Sequence, residues 1–507
     1  MPHASIAALL ESSPPDASAL GATQGVKSLL YRDLQALARR TVETLNSVGI
    51  GRGDRVAIVL HNGPEMASSF LCVAAGAATA PLNPAYRADE LEFYLADLKA
   101  KALVLEAGVD SPARAAAKKL SIPVLELTAD RTRGAGWFTL SGGVKGTPAR
   151  GGMGDKDDLA LLLHTSGTTS RPKLVPLLQR NLLASAEHIG RTLALTRDDV
   201  CLNILALFHI HGLIAATLSS LAAGASVSCT PGFNALRFFH WLDEVRPTWY
   251  TAVPTMHQAI LARAGRHREE IARGRLRLIR SSSASLPAPV MLEMEKTFGV
   301  PVIEAYGMTE ASHQMASNPL PPRERKPGSV GMAIGPEIAV LDEDWNPLPR
   351  GEVGEVAIHG PNVTPGYEAN PEANAKSFRE GWFRTGDQGV IDEEGYLRLT
   401  GRLKEQINRG GEKFSPLEVD EVLALHPAVA QAITFAMPHD KLGEEVAAAV
   451  VLREGATATE RELHNFCAAR LSHFKVPRKV VFVTEIPKGA TGKLQRIGLA
   501  QKLGLGS

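Results

Sequence analysis

Hydroxyl groups crowd one short stretch of the chain. Leu163-His-Thr-Ser-Gly-Thr-Thr-Ser-Arg-Pro-Lys173 sets Thr165, Ser166, Thr168, Thr169 and Ser170 around Gly167, with Arg171 and Lys173 directly after. Backbone N–H groups, hydroxyl donors and two cations on one loop can converge on a single anion. Gly167 lets the backbone come close to a phosphate. The spacing is not that of a Gly-x-x-x-x-Gly-Lys-Ser/Thr loop. A second constellation, Glu304-Ala-Tyr-Gly-Met-Thr-Glu310, follows the apolar run Val300-Pro-Val-Ile303. Glu304, Ala305 and Tyr306 suit a floor for adenine and phosphate. Tyr306 can stack on a base, Thr309 can hydrogen-bond a phosphoryl oxygen, and Glu310 can bind Mg²⁺, a hard cation that prefers oxygen. A third, Ile486-Pro-Lys-Gly-Ala-Thr-Gly-Lys493, lifts Lys493 on a Gly-rich turn. A lysine there can draw a carboxylate and a phosphate together. Each such contact, at about 4 Å and an effective dielectric near 20, contributes roughly 4 kcal/mol before desolvation. Phe208-His-Ile-His-Gly212 pairs two histidines, which would share a face on a strand. No third ligand cluster accompanies them, so zinc is not expected.

These residues need a scaffold of several cores. At 507 residues and 44% hydrophobic composition, the chain exceeds the roughly 250–300 residues at which single cores stop growing. Lys+Arg 55 against Asp+Glu 54 leaves a net charge of +1. That gives no global field for nucleic acid or an anionic membrane, so an anionic ligand must be met locally. Cys72, Cys201, Cys229 and Cys467 are far apart and read as free thiols in a reducing cytoplasm. Met1 to Leu20 has no basic patch followed by an apolar run, so no signal peptide is expected. Phe70 to Ala80, stopped by Pro81, is too short to span a bilayer and reads as a buried helix.

Short apolar runs (56–60, 102–105, 123–127, 159–163) alternate with helical patterns (33–45, 89–98), which implies parallel sheets covered by helices. Residues 134–155 read as a loop. After about residue 330 the runs 352–359 and 395–400 alternate and are separated by turns, the mark of antiparallel strands. From Ser415 a small α/β unit is expected: helix 416–425, strand 446–452, helix 459–471. The predicted fold is α/β, with a large N-terminal domain, 1–403, holding parallel sheets and a distorted antiparallel subdomain, and a small C-terminal α/β domain, 404–507.

The 163–173 segment resembles the phosphate loop of the adenylate-forming superfamily: acyl- and aryl-CoA synthetases, firefly-type luciferases and peptide-synthetase adenylation domains. The resemblance runs over nearly the whole chain, through several motifs in order. It implies ATP and CoA as cosubstrates with Mg²⁺, the metal on Glu310 and Thr168. Gly381-Trp-Phe-Arg-Thr-Gly-Asp387 resembles the ribose motif, so Asp387 would accept from both ribose hydroxyls, with Arg402 as a further cation. Arg280-Ser-Ser-Ser-Ala-Ser-Leu286 resembles a small-residue motif in which Ser283 and Ala284 pass adenine on one side and the acid on the other. In relatives the position of His209 lines the acyl cavity. Lys404 would be the hinge of a mobile C-terminal domain. Lys493 would assist adenylation and then withdraw, and Gly410 and Gly411 of Asn408-Arg-Gly-Gly-Glu-Lys413 would let a pantetheine arm pass.

The continuation Ala311-Ser-His-Gln-Met-Ala-Ser-Asn-Pro-Leu320, with the 281–286, 208–212 and 408–413 segments, is most similar to oxalyl-CoA synthetases. An apolar tunnel would suit an aryl or fatty acid, whereas the second carboxylate of oxalate must find donors, because burying an unpaired charge is costly. His313, one helical turn past Thr309, with Ser281, Ser283 and His209, would supply them. A general aryl- or medium-chain acyl-CoA synthetase is the alternative. A luciferase-type oxygenase and a carrier-loading adenylation domain stand behind it. Monomer and dimer remain open.

Overall fold

The computed structural model describes residues 3–23, 25–165, 172–489 and 491–506. Ser166, Gly167, Thr168 and Thr169, with Ser170 and Arg171, lie outside the described residues.

Four sheets are formed among the described residues. The first has a parallel centre: Arg55–Val59 lies between Ala78–Pro81 and Ala102–Glu106, and the path continues to Val124–Ala129 on one side and Leu159–His164 on the other. Its strands read as near-continuous apolar runs because both faces are covered. Antiparallel edges close it. Leu174–Leu178 pairs back on Leu159–His164, with His164 opposite Leu174, and the segment expected to meet phosphate joins these two strands in sequence.

Two expectations need correcting here. The apolar stretch 70–80 is not one helix: the helix spans Pro64–Ala74, and Ala78–Pro81 is a strand. Segment 134–155 is not all loop, since Phe138–Gly142 pairs with Val124–Ala129.

The second sheet carries the parallel strands Ser226–Cys229, Val200–Asn203, Trp249–Ala252, Leu278–Ser281 and Val302–Met308, extended by antiparallel His313–Ser317. The helix Pro64–Ala74 has every residue from Met66 to Ala74 buried, and the helix Gln179–Thr192 buries Leu182, Leu183, Ala186 and Ile189 in the same core. That core joins the two large sheets, so their relative placement is fixed by apolar packing.

The third sheet is antiparallel, built from Glu337–Leu341, Gly354–His359, Phe378–Arg379, Trp382–Ile391 and Leu397–Arg402. One 3₁₀ turn, Leu403–Glu405, leads from its last strand to Ile407–Arg409 of the fourth sheet. That sheet pairs Val429–His439 with Gly443–Leu452 and is covered by the helices Pro416–Ala424 and Glu460–Ala468 around cores of its own. Arg496 anchors the start of this unit, reaching Glu405 at 3.0 Å and Asp420 at 2.8 Å. All four cysteines are buried and free. Among the described residues no helix is long and apolar enough to cross a membrane.

Candidate active site

The carboxyl ends of Val200–Asn203, Trp249–Ala252, Leu278–Ser281 and Val302–Met308 open on one side of the second sheet, where open α/β sheets hold their ligands. The segment after Val200–Asn203 turns at His209 and enters a π-helix, His211–Leu218. Such distortions gather at functional sites. Asn203 Nδ2 and Thr217 Oγ1 both donate to the Gly212 carbonyl, at 3.1 and 2.8 Å. This geometry corrects the strand reading of Phe208–Gly212.

A polar cluster fills the space behind this turn. Thr251 Oγ1 lies 2.7 Å from His211 Nε2, and Ser283 Oγ lies 3.0 Å from His211 Nδ1. The His211 and His313 rings stand 4.7 Å apart. Arg280, 0% exposed, donates to Gln314 Oε1 at 2.9 Å and approaches His211 Nε2 and His313 Nδ1 at 3.3 and 3.5 Å. Burial brings the guanidinium down to about 9. Burial also holds His211 and His313 well below their usual range, and His209 at about 3. The three imidazoles are therefore neutral, and the positive charge resides on Arg280 and Lys493.

His313 reaches this cluster from a strand, His313–Ser317, and not from a helix one turn past Thr309. Only Thr309–Ala311 is helical, a single 3₁₀ turn. Gly307 makes the return possible: a Cβ there would sit 1.8 Å from the His313 carbonyl oxygen. Ser281 and Ser283, two apart in sequence and both expected to meet the acid, do not share a strand face. The strand ends at Ser281, and Ser283 lies beyond it at φ +76°. Alternation sets Ser281 with Ile279 opposite Arg280, and the Ser281 hydroxyl has no partner among the described residues.

Among the residues expected to meet the nucleotide, Tyr306 Oη donates to Asp387 Oδ2 at 2.5 Å, and Arg402 Nε pairs with Asp387 Oδ1 at 2.9 Å. The phenol of Tyr306 is thus committed to the same carboxylate that was expected to meet ribose. Ser282 Oγ donates to the Ala305 carbonyl at 2.8 Å, and Ala284 is exposed on the turn that follows. Glu304 accepts from the Leu286 N–H at 2.8 Å, and burial pushes its carboxyl up to about 8. Glu310 is buried, accepts from Tyr367 Oη at 2.8 Å, and is raised by burial. Thr309, half-buried, opens the turn beside it. Lys173 Nζ stands 4.1 Å above the Tyr367 ring. Its ammonium is lowered by burial and by the charge of Lys404. Thr165 N–H donates to the Lys173 carbonyl at 2.9 Å, continuing the pairing of the two flanking strands.

Lys493 joins the two sides. Its turn lies against the helix Pro254–Ala264: Thr255 Oγ1 donates to the Gly492 carbonyl at 2.7 Å, and Gly492 holds φ +81°. A cavity of about 410 Å³ includes His209, His211, Ser283 and Lys493 in its lining, with Phe208, Val253 and Met256 among its apolar walls. Burial lowers the Lys493 ammonium to about 8, and Arg402, Asp387 and Glu310 lie within its electrostatic reach. Lys404 is exposed in the 3₁₀ turn, and Gly410 and Gly411 lie exposed, away from the cavity, between two short strands at φ +61° and +100°.

Arg280, Thr251, Gln314 and Tyr367 were not singled out as site residues in the sequence. A lone arginine in a Ser-rich strand reads as solvated, and Tyr367 lies 57 residues from Glu310, with no spacing pattern to link them.

The family model of the AMP-binding enzyme matches residues 10–368, and that of the AMP-binding enzyme C-terminal domain matches residues 418–493. The chain is 48% identical over 476 residues to a protein of Humulus lupulus named "Probable CoA ligase CCL9", covering 92% of this chain and 90% of the relative. It is 47% identical over 495 residues to an oxalate–CoA ligase of Arabidopsis thaliana, covering 96% of each. Among solved structures, ATP-bound MatB from Rhodopseudomonas palustris superposes at a TM-score of 0.87, with 32% identity and 99% of each chain covered, against 0.77 for the apo form of the same protein. Motif order, fold and near-complete coverage agree, and the chain belongs to the AMP-binding enzyme family.

Proposed function

We propose that this protein is an ATP-dependent acid–CoA ligase whose acid is oxalate. It forms oxalyl-AMP with release of pyrophosphate, then oxalyl-CoA with release of AMP. The observation that carries the choice of acid is the wall of the cavity: His209, His211, Ser283 and Lys493, backed by the buried Arg280, with no carboxylate among the side chains lining it. A dianion gains there what an aryl or aliphatic tail would lose, since a tail would leave buried donors unpaired. The 47% identity to an oxalate–CoA ligase supports the same reading.

In the first half-reaction the 165–173 loop and Thr309 hold the phosphates, Asp387 and Arg402 the ribose, and residues 283–284 and 304–306 the adenine. Lys493 holds the attacking carboxylate oxygen and the α-phosphate together, so catalysis is positioning and charge stabilisation. Glu310 is a single buried carboxylate, and among the described residues no three His, Cys, Asp or Glu converge. Such a donor set fits Mg²⁺, which takes one or two carboxylates and completes its shell with phosphate oxygens and water. Thr168, outside the described residues, would add a hydroxyl oxygen. When bound, the cation would neutralise phosphate charge.

For the second half-reaction, residues 404–507 turn as a body about Lys404 and withdraw Lys493. Gly410 and Gly411 then line the path of the pantetheine arm. The CoA thiolate attacks the acyl carbon, and AMP leaves. The better match to the ATP-bound than to the apo MatB structure supports an adenylating arrangement here. Four buried free thiols favour a reducing compartment, the cytoplasm. Pyrophosphate release measured against oxalate, malonate, coumarate and hexanoate tests the assignment. Oxalate should give the highest kcat/KM, and preference for a monocarboxylic acid would defeat it.

A further inference from the structure

We propose that Arg280 is a positioning residue for the acid: it locks His211 and His313 each in one tautomer, so that the His211 proton is spent on Ser283, whose hydroxyl is left free at the wall of the acid cavity, and the His313 proton is held on Nε2 behind that wall. This rests on the oxalate reading above for its kinetic test, but not for its structural one.

A guanidinium only donates. Arg280 Nη1 lies 3.3 Å from His211 Nε2, and Nη2 lies 3.5 Å from His313 Nδ1. Both ring nitrogens must therefore accept. Thr251 Oγ1 takes a second contact from Arg280 Nη1, at 3.4 Å, and donates its own proton to His211 Nε2 at 2.7 Å. With Nε2 an acceptor, neutral His211 carries its proton on Nδ1, which donates to Ser283 Oγ at 3.0 Å. The Ser283 hydroxyl proton is then released to point elsewhere, and Ser283 lines the cavity. His313, accepting at Nδ1, carries its proton on Nε2. That Nε2 is buried, in a residue 1% exposed, and has no partner among the described residues. An orphaned buried donor calls for a ligand.

The neutrality on which this depends has a visible cause. The charged and titratable groups within reach of His211 and His313 are Arg280, His209, Lys493 and each other. None is a carboxylate, so nothing favours an imidazolium. Burial first, with the charge of Arg280 added to it, keeps both histidines neutral, and Arg280 dictates where their single protons sit. Gln314 Oε1, at 2.9 Å from Nη2, fixes the guanidinium itself.

The first arm of the test uses the wild-type enzyme. ¹⁵N spectra of histidine-labelled protein, with His211 and His313 assigned by His→Gln variants, should show Nδ1–H for His211 and Nε2–H for His313. The opposite tautomers, or an imidazolium, would overturn the proposal, whatever acid the enzyme uses. The second arm is a double-mutant cycle on the oxalate KM. In His313→Gln the side-chain amide offers an N–H near the former Nε2–H with no tautomer to fix. Arg280→Met should raise the oxalate KM at least about tenfold, the scale of one hydrogen bond to a charged group, with the ATP KM unchanged. In the His313→Gln background the same substitution should raise it by no more than about threefold. Equal effects in both backgrounds, or a matching rise in the ATP KM, would mean that Arg280 supports the fold alone. If Arg280→Met does not fold, the spectra still decide. Failure of oxalate as a substrate would void the kinetic arm and leave the tautomers standing or falling separately.

Discussion

Replacing Tyr367 with Phe isolates a single hydroxyl. Its Oη donates to Glu310 Oε1 at 2.8 Å, and the carboxylate it serves is 7% exposed. The ring on which Lys173 rests at 4.1 Å is retained. Burial already raises Glu310, and the Tyr367 hydrogen bond opposes that rise. A hydrogen bond to a charged group contributes about 1.5–3 kcal/mol. At 1.36 kcal/mol per pH unit, its loss should move the Glu310 titration upward by about 1–2 units. The sign follows from the raised carboxyl. In the proposed reaction Glu310 is ionised to hold a cation and its phosphates, so activity should rise with pH as the carboxyl ionises, and the variant should need a higher pH. The assay is kcat/KM for ATP against pH at saturating Mg²⁺, parent and variant side by side, so that titration of ATP itself cancels. The acidic limb should shift toward neutrality by about 1–2 units while the high-pH plateau falls less. An unmoved limb, or one displaced to lower pH, would refute the role given to Tyr367 and Glu310.

Lys493→Ala should abolish adenylate formation yet leave thioester formation from preformed oxalyl-AMP largely intact. In the parent, adenylation should decline as pH passes about 8, where Lys493 loses its proton; equal losses in both half-reactions would contradict this. Lys404→Pro fixes φ in the turn between the third and fourth sheets, so rapid-quench assays should find adenylation preserved and thioester formation lost, whereas parent-like turnover would remove Lys404 as the pivot. Glu304 is protonated when folded and ionised when unfolded at neutral pH, a burden absent in acid that grows as pH climbs toward about 8. Glu304→Gln should therefore stabilise the protein by roughly 3 kcal/mol near pH 7 and hardly at all near pH 4, read from guanidinium midpoints across that range.

The motifs assigned to the nucleotide stand out in the sequence because each is a contiguous run. Hydroxyls around one glycine, Thr309 beside Glu310, and Lys493 on a glycine turn each announce themselves in a few residues. Strand–helix alternation likewise announced the parallel sheets. Reading failed where one composition serves two structures. The Ala-rich run 70–80 fits a helix and a buried strand equally, and only pairing of Ala78–Pro81 with Arg55–Val59 decides it. His313 counts as one turn past Thr309 only if the chain stays helical, and Gly307 instead lets it double back as a strand. The acid side was least legible. Arg280, Thr251, His211 and His313 come from four separate elements, and no local spacing joins them.

The most direct measurement is a competition. Purified enzyme, ATP, Mg²⁺ and CoA are incubated with equimolar oxalate, malonate, coumarate and hexanoate in one vessel, and the CoA thioesters formed in the initial phase are quantified by mass. The account predicts oxalyl-CoA in excess over every other thioester, with AMP and pyrophosphate in equal amounts. Predominance of coumaroyl- or hexanoyl-CoA would contradict it.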